Sequence, residues 1–170
     1  MNESTWILEN LLMAEKMLER EEYVRAKRIL DEILETEPGY GRAHNHLGWI
    51  FYSVLDDHKM AERHYRLAIH FEPSYPHAYM NLLRLLIANG QYEEARNHAM
   101  HMLSATTVNR SLIYNELGRI EELCGNYKRS IEYYNQAICH CVITMNIAAY
   151  NENIKRVREK RLMNRRSLLF

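Results

Sequence analysis

Two short runs of residues in this chain combine side chains that could bind a metal ion. His98 and His101 have the i, i+3 spacing that places two imidazoles on one face of a helix, and Cys139, His140 and Cys141 are consecutive. Structural zinc needs four converging ligands, whereas consecutive residues of a helix point to different faces. We therefore expect no metal site and no cofactor.

The chain also lacks the sequence motifs of common catalytic and nucleotide-binding sites. It contains no G-x-S-x-G nucleophile motif, no glycine-rich phosphate loop, no H-E-x-x-H zinc motif and no D-x-D-x-D-G calcium loop. The carboxylate pairs Glu93–Glu94 and Glu121–Glu122 are adjacent in sequence, so the two members of a pair do not face each other on a helix. We interpret both pairs as solvated helix faces and expect a protein that is not an enzyme.

The composition favours a helical protein. Six glycines and three prolines are too few for the turns of an all-β sandwich or barrel, and 47% hydrophobic residues are too many for a disordered chain. Equal numbers of acidic and basic residues, 22 of each, argue against a globally basic nucleic-acid-binding protein. No apolar stretch is long enough to span a membrane, no signal peptide is evident, and three cysteines do not suggest a disulfide framework. We predict an all-α cytoplasmic protein.

A short pattern recurs along the chain at a regular spacing. Glu22–Ala26, Gln91–Ala95 and Asn126–Ser130 each carry tyrosine at their second position and end on a small residue, and Ala61 fills the gap in the series. The small residues are therefore separated by 35, 34 and 35 positions. A period in this range is typical of proteins built from stacked helix pairs.

This pattern resembles the tetratricopeptide repeat, a helix-turn-helix unit with conserved columns of small, aromatic and proline residues. The second unit fits best, with Leu47, Gly48, Phe51, Ala61, Tyr65, Ala68 and Pro73 in the expected columns. The third unit has Leu83 in place of the close-packing glycine, and the fourth has Val142 in place of proline. The resemblance implies four units over residues 1–142, at about 7–40, 41–75, 76–110 and 111–142, arranged as a right-handed superhelix.

After the fourth unit the helical pattern continues without a second partner helix. We expect a C-terminal solvating helix over residues 143–164, covering the last unit with Ile147, Tyr150, Ile154 and Val157, and a flexible tail over 165–170. This end of the chain is basic, with Lys155, Arg156, Arg158, Lys160, Arg161, Arg165 and Arg166. Such a segment is either a solvated cap or a surface for an anionic partner, and no accompanying motif favours nucleic acid.

In this family the first helix of each unit lines a concave surface, so the resemblance also implies which residues contact a partner. The implied contact residues are Arg42, Asn45, His46, Trp49, Tyr52, Met80, Asn81, Arg84, Asn115 and Arg119. An asparagine recurs in three successive units, and its amide offers both donors and an acceptor to an extended peptide backbone. Arg84 and Arg119 could pair with carboxylates, so the resemblance implies an acidic or C-terminal peptide.

These features imply a noncatalytic adaptor that binds a peptide segment of a partner protein in a concave groove. The subfamily that clamps chaperone tails carries lysine and asparagine in its first repeat, where this chain has Leu11 and Glu15, so we do not expect that type of clamp. The alternative is a chaperone-like or assembly subunit that acts through its ends. In that case the basic C-terminal helix would contact an anionic partner or another copy of the chain.

Overall fold

The computed structural model describes residues 3–104 and 108–167, and the side chains of residues 165–167 lie outside that description. Within these ranges the chain forms nine α-helices and no strand, which confirms the predicted all-α class. The helices are α1 Glu3–Glu19, α2 Tyr23–Thr36, α3 Gly41–Ser53, α4 His58–Phe71, α5 Pro76–Ala88, α6 Tyr92–Ser104, α7 Arg110–Leu123, α8 Tyr127–Cys139 and α9 Thr144–Ser167. No helix in the described ranges is both long and apolar enough to cross a bilayer.

The chain divides into two compact units, Met1–Leu85 and Leu86–Phe170, which we call unit 1 and unit 2. In unit 1, α1 packs against α2 and α3 packs against α4. In unit 2, α7 packs against α8. Helix α6 packs against α7, and α9 packs against α8. Both units are therefore built from antiparallel helix hairpins, each of which buries its apolar face against a neighbouring helix.

In two hairpins, a glycine of the first helix allows the second helix to approach closely. A Cβ atom added to Gly48 would lie 2.6 Å from the Tyr65 ring, and one added to Gly118 would lie 2.7 Å from the Tyr134 ring. These distances are shorter than van der Waals contact, so only glycine permits the observed packing of α3 on α4 and of α7 on α8. Both tyrosines are almost completely buried. The repeat columns that carry small and bulky residues thus have a direct steric role.

One turn position has the same backbone conformation in all four predicted repeats. Glu21, Asp56, Gly90 and Gly125 follow the first helix of successive hairpins and have φ angles of 61°, 52°, 73° and 77°. This left-handed conformation carries little cost for glycine and a larger one for residues with a Cβ atom. The recurrence of this turn agrees with the period read from the sequence.

Helix α9 packs against α8 through a small apolar cluster. Ile154 and Val157 of α9 are buried with Tyr134 of α8. The helix begins near the predicted residue 143 and continues through Ser167, so helical structure extends into the segment predicted as a tail. Residues 168–170 lie outside the described chain, and the bounds of the four repeats and of the tail stay predictions.

Candidate functional site

A groove in unit 1 gathers several residues that were predicted to contact a partner. It encloses about 480 Å³ and is lined by residues of α1, α3 and α5 and by the turn before α5. Its lining residues are Leu18, Glu19, Asn45, His46, Trp49, Tyr75, His77 and Asn81. We call this the unit 1 groove, and four of its residues, Asn45, His46, Trp49 and Asn81, were identified from the repeat pattern.

A pair of side-chain amides lies in this groove. The Nδ2 atom of Asn81 donates a hydrogen bond of 2.9 Å to Oδ1 of Asn45, which joins α5 to α3. Asn45 is buried and Asn81 is half-buried, so the bond fixes two polar groups where mobile water is limited. An amide has two donor hydrogens and an acceptor with two lone pairs, and one hydrogen bond therefore leaves each residue with further capacity.

A histidine and a carboxylate form a hydrogen bond that links α3 to α1 beside the groove. His46 Nε2 donates to Oε1 of Glu15 at 3.1 Å. Burial lowers the pKa of His46, and the carboxylate of Glu15 only partly offsets that effect. His46 is therefore neutral at pH 7, and its imidazole adds no positive charge to the groove. Glu19 lies one helical turn after Glu15, so α1 brings two carboxylates to this side.

Aromatic rings provide the apolar part of the groove. The half-buried Trp49 packs against Tyr23 with ring centroids 5.9 Å apart. Tyr75 lies under the guanidinium of Arg42, whose Cζ is 5.7 Å from the ring centroid. Arg42 also donates through Nε to Glu72 at 3.3 Å, so this exposed cation already has a carboxylate partner. The groove thus combines paired amides with a large apolar surface.

Four predicted contact residues of unit 1 do not line the groove, namely Arg42, described above, and Tyr52, Met80 and Arg84. Tyr52 is half-buried and packs against His58 with ring centroids 5.1 Å apart. Met80 is buried in the core with a relative exposure of 9%, because its position on α5 faces the packed side of that helix. Arg84 is exposed on α5. A contact role for these residues stays a prediction.

In unit 2 the predicted residues Asn115 and Arg119 line a smaller pocket of about 260 Å³. Asn153 of α9 donates to Oδ1 of Asn115 at 3.2 Å, so α9 supplies an amide partner to α7. The Arg119 guanidinium lies 3.5 Å from the carboxylate of Glu116 on the same helix. Arg156 of α9 also lines this pocket, which places side chains of the C-terminal helix beside the predicted contacts of α7.

The interpretation of Glu121 and Glu122 as a solvated pair is wrong, because both side chains are buried. Glu121 accepts hydrogen bonds from Arg96 at 2.8 Å and from Asn126 at 2.7 Å. As expected for adjacent residues, the two carboxylates face different ways. The sequence nearby gives no sign of this burial, since the cation that pairs with Glu121 comes from another helix.

Glu122 holds α9 on unit 2 through several charged hydrogen bonds. Its carboxylate accepts from Arg156 at 2.7 and 2.9 Å, from Lys160 at 2.7 Å and from the Tyr134 hydroxyl at 3.1 Å. Burial would raise the pKa of Glu122, but the hydrogen bonds from Arg156 and Lys160 outweigh it and lower the pKa to about 2. The Glu122 carboxylate is therefore ionised at neutral pH.

The predicted basic tail is divided between two roles. Arg156 and Lys160 pair with Glu122, whereas Lys155 and Arg158 are exposed and Arg161 is half-buried. The side chains of Arg165 and Arg166 lie outside the described residues. A binding role for this segment stays a prediction, and part of its charge is already paired with Glu122.

Some lining residues of the unit 1 groove were missed by the sequence reasoning. Leu18 and Glu19 belong to α1, whose repeat pattern is the weakest of the four, and Tyr75 lies in a turn outside the pattern used to predict contacts. Counting inward positions along α1 as well would have indicated the first two. For the described residues, no group of three or more His, Cys, Asp or Glu side chains is arranged to hold a metal ion.

Comparison with known proteins agrees with this architecture. A tetratricopeptide repeat profile matches residues 76–105 and 109–138. The structure of PilF from Pseudomonas aeruginosa aligns with a TM-score of 0.81 and 20% identity, covering 95% of this chain and 71% of that one. MamA from Desulfovibrio magneticus RS-1, residues 41 to the end, aligns with a TM-score of 0.68 and 17% identity over 91% and 94% of the two chains.

A third similar structure is the first tetratricopeptide repeat domain of Spaghetti (RPAP3) bound to the HSP90 peptide SRMEEVD. It aligns with a TM-score of 0.63 and 21% identity, covering 71% of this chain and 97% of that one. No curated protein matches the sequence. The structural matches define a protein of stacked helix-turn-helix repeats. Two segments of this chain therefore match the tetratricopeptide repeat, and its helical architecture is the one seen in structures with this fold.

Proposed function

We propose that this chain is a noncatalytic adaptor that binds an extended segment of a partner protein in the unit 1 groove. The observation that carries the proposal is the amide pair of Asn45 and Asn81 lying beside the ring of Trp49 in one open groove. An extended peptide presents backbone N–H and C=O groups that such amides can bind, and its side chains can pack on the aromatic surface.

The size of the groove fits this role. A space of about 480 Å³ is within the range of sites that bury a small ligand, and it can therefore hold a few peptide side chains. The RPAP3 domain is similar in fold and its structure contains a bound peptide, which supports a comparable use of this fold. The prediction of an acidic peptide came from Arg84 and Arg119, and neither residue lines the unit 1 groove.

The test compares partner capture by wild-type chain with capture by a groove variant, His77→Ala combined with Asn81→Ala. Both residues lie in the first half of α5 outside the apolar core, and Asn81→Ala also removes the hydrogen bond to the buried Asn45. Circular dichroism and chemical denaturation therefore check that the variant stays folded. The matched control combines Asn97→Ala with His101→Ala, which removes the same two residue types from exposed positions of α6. We expect the groove variant to lose a specific set of captured proteins that the control retains.

Photo-crosslinking then locates the contact. A crosslinking amino acid at Glu19, on the rim of the groove, should label those proteins strongly, and one at Val24, which is 86% exposed, should label them weakly. Equal capture by the groove variant and the control would reject the groove assignment.

The end-surface alternative is tested with Lys155→Gln, Arg158→Gln and Arg161→Gln together. These substitutions leave Arg156 and Lys160 on Glu122, whereas truncating α9 after Ile154 would also remove the buried Val157 and expose a buried carboxylate. Loss of capture in this variant, with capture unaffected by the groove variant, would favour the alternative, including contact with another copy of the chain.

A further inference from the structure

We infer that the unit 1 groove selects a peptide in which an apolar or aromatic side chain is flanked by basic residues. This inference rests on the proposed function and names the chemistry of the segment that the groove would bind. It differs from the acidic ligand that the repeat pattern alone suggested.

The groove is bordered by negative charge. Glu19 lines it directly, and the partly exposed Glu15, one helical turn earlier on α1, accepts a hydrogen bond through Oε1 from the lining residue His46. His46 is neutral at pH 7, because burial lowers its pKa. No lysine or arginine is among the described residues that line the groove. The side of the groove formed by α1 is therefore negative.

Arg42 does not reverse this balance. Its guanidinium is the cation placed beside Tyr75, and it donates to the carboxylate of Glu72 at 3.3 Å. A ligand carboxylate would have to compete with Glu72 for Arg42 and would also meet the carboxylates on α1. A ligand cation meets opposite charge, and like charges brought together at an interface are strongly disfavoured.

An apolar surface lies next to that charge. Leu18 and Glu19 both line the groove from α1, so an apolar side chain and a carboxylate border the same space. The ring of Trp49 lies on α3 across the groove, and an aromatic ring packs an apolar side chain and also attracts a cation to its face. One apolar anchor with a neighbouring lysine or arginine satisfies both kinds of surface, while Asn45 and Asn81 bind its backbone.

The inference is tested by selecting peptides from a displayed library of random dodecapeptides on the wild-type chain. Each enriched sequence is rescreened on His77→Ala with Asn81→Ala, and only sequences that lose binding there are counted. We expect these sequences to combine leucine or an aromatic residue with adjacent lysine or arginine. An enrichment of aspartate and glutamate among groove-dependent sequences would overturn the charge inference and leave the proposed function standing.

A synthetic series then measures the charge effect. The best sequence is compared with versions whose basic residues are replaced by glutamine and by glutamate, and binding is followed by the indole resonance of Trp49. We expect each replaced charge to weaken binding about threefold at low salt, with the difference shrinking as salt is added. Equal affinity across the series would also overturn the charge inference.

The matched variants are Glu19→Gln, in the groove, and Glu35→Gln, an exposed residue of α2. Glu19→Gln should reduce the preference for the basic peptide by about threefold, and Glu35→Gln should leave it unchanged. If every selected peptide binds His77→Ala with Asn81→Ala as tightly as wild type, or if no sequence is enriched, both the inference and the proposed function are rejected.

Discussion

The α3–α4 hairpin of unit 1 and the α7–α8 hairpin of unit 2 hold their helices together in the same way. In each, a glycine of the first helix packs against the ring of a buried tyrosine of the second, Gly48 on Tyr65 and Gly118 on Tyr134. In each, an asparagine of the first helix accepts a hydrogen bond from an asparagine of a later helix. These shared contacts form the frame on which the two surfaces are built.

The two surfaces differ in what the frame displays. Where α3 has His46, Trp49 and Tyr52, the equivalent positions of α7 have Glu116, Arg119 and Glu122. The first set leaves an open groove with an apolar side. In the second set Glu122 binds Arg156 and Lys160 of α9, so that its carboxylate is covered by that helix. The two hairpins therefore keep the same residues for packing their helices together. The residues at the inward positions of the first helix determine whether that surface stays open, as in unit 1, or binds a further helix, as in unit 2.

The shared frame is tested most severely by enlarging its glycines. Gly48→Val and Gly118→Val each place a Cβ atom within 3 Å of a buried tyrosine ring, so we expect each to reduce the free energy of unfolding by about 3 kcal/mol. Chemical denaturation measures the loss, and Ser53→Val, at the exposed end of α3, is the control. A loss at only one glycine would break the equivalence of the two hairpins.

The charged surface of unit 2 is tested by Glu122→Gln. The substitution keeps the shape of the side chain but removes the charge that Arg156 and Lys160 bind. We expect a loss of about 2 kcal/mol, since the carboxylate is buried while both cations are half-exposed. Tyr52→Gln at the equivalent position of unit 1 should cost less, because no cation depends on it. If Glu122→Gln and Tyr52→Gln reduce the free energy of unfolding equally, the charge of Glu122 does not stabilise the packing of α9.

We expect acid to destabilise the two units in different pH ranges. His44 and His64 share a hydrogen bond between their Nδ1 atoms at 3.0 Å, and His44 donates through Nε2 to the carbonyl of Pro38. Burial lowers the pKa of His64 to about 4, with His44, Arg63 and Lys27 adding to the effect and Asp31 opposing it. The neutral pair therefore stabilises unit 1 at pH 7, and this stability falls as the pH drops from about 6.5 toward 4.

In unit 2 the contribution of Glu122 is lost in a more acidic range. Its pKa is lowered from 4.5 to about 2, so its stabilisation persists above pH 4.5 and declines below it. Amide hydrogen exchange should therefore show unit 1 weakening first, by about 1.5 kcal/mol near pH 4.5. His64→Gln keeps a donor toward His44 but does not titrate, and it should reduce this early loss to the part that comes from His44 and His46, whose pKa values burial also lowers. Simultaneous weakening of both units in wild-type chain would contradict the assignment.

The sequence predicted most of the helix packing but fewer of the contacts at the candidate site. The periodic small residues predicted the hairpins, and the inward positions of α3 and α5 predicted Asn45, His46, Trp49 and Asn81 as groove residues. The burial of Glu122 was not predictable, because its partner Arg156 is 34 residues away and a Glu-Glu pair on a helix normally faces water. Local pattern identifies the repeat, whereas charge pairing between helices depends on tertiary packing.

The smallest expected effect concerns the turn that recurs in all four predicted repeats. Unit 2 has Gly90 and Gly125 at this position, with φ angles of 73° and 77°, and unit 1 has Glu21 and Asp56, with φ angles of 61° and 52°. A residue with a Cβ atom is strained in this conformation, although aspartate tolerates it better than glutamate. Unit 1 therefore carries strain that unit 2 avoids.

Exchanging the residue types between the units should reveal that strain. Glu21→Gly should raise the free energy of unfolding by about 1 kcal/mol, and Gly125→Ala should lower it by about the same amount. Glu21→Ala is the control for loss of the side chain, because it removes the carboxylate and keeps the Cβ atom. Urea denaturation of the three variants measures the differences. If Glu21→Gly and Glu21→Ala are equally stable, the left-handed turn imposes no strain on unit 1, and the two units differ in their surfaces alone.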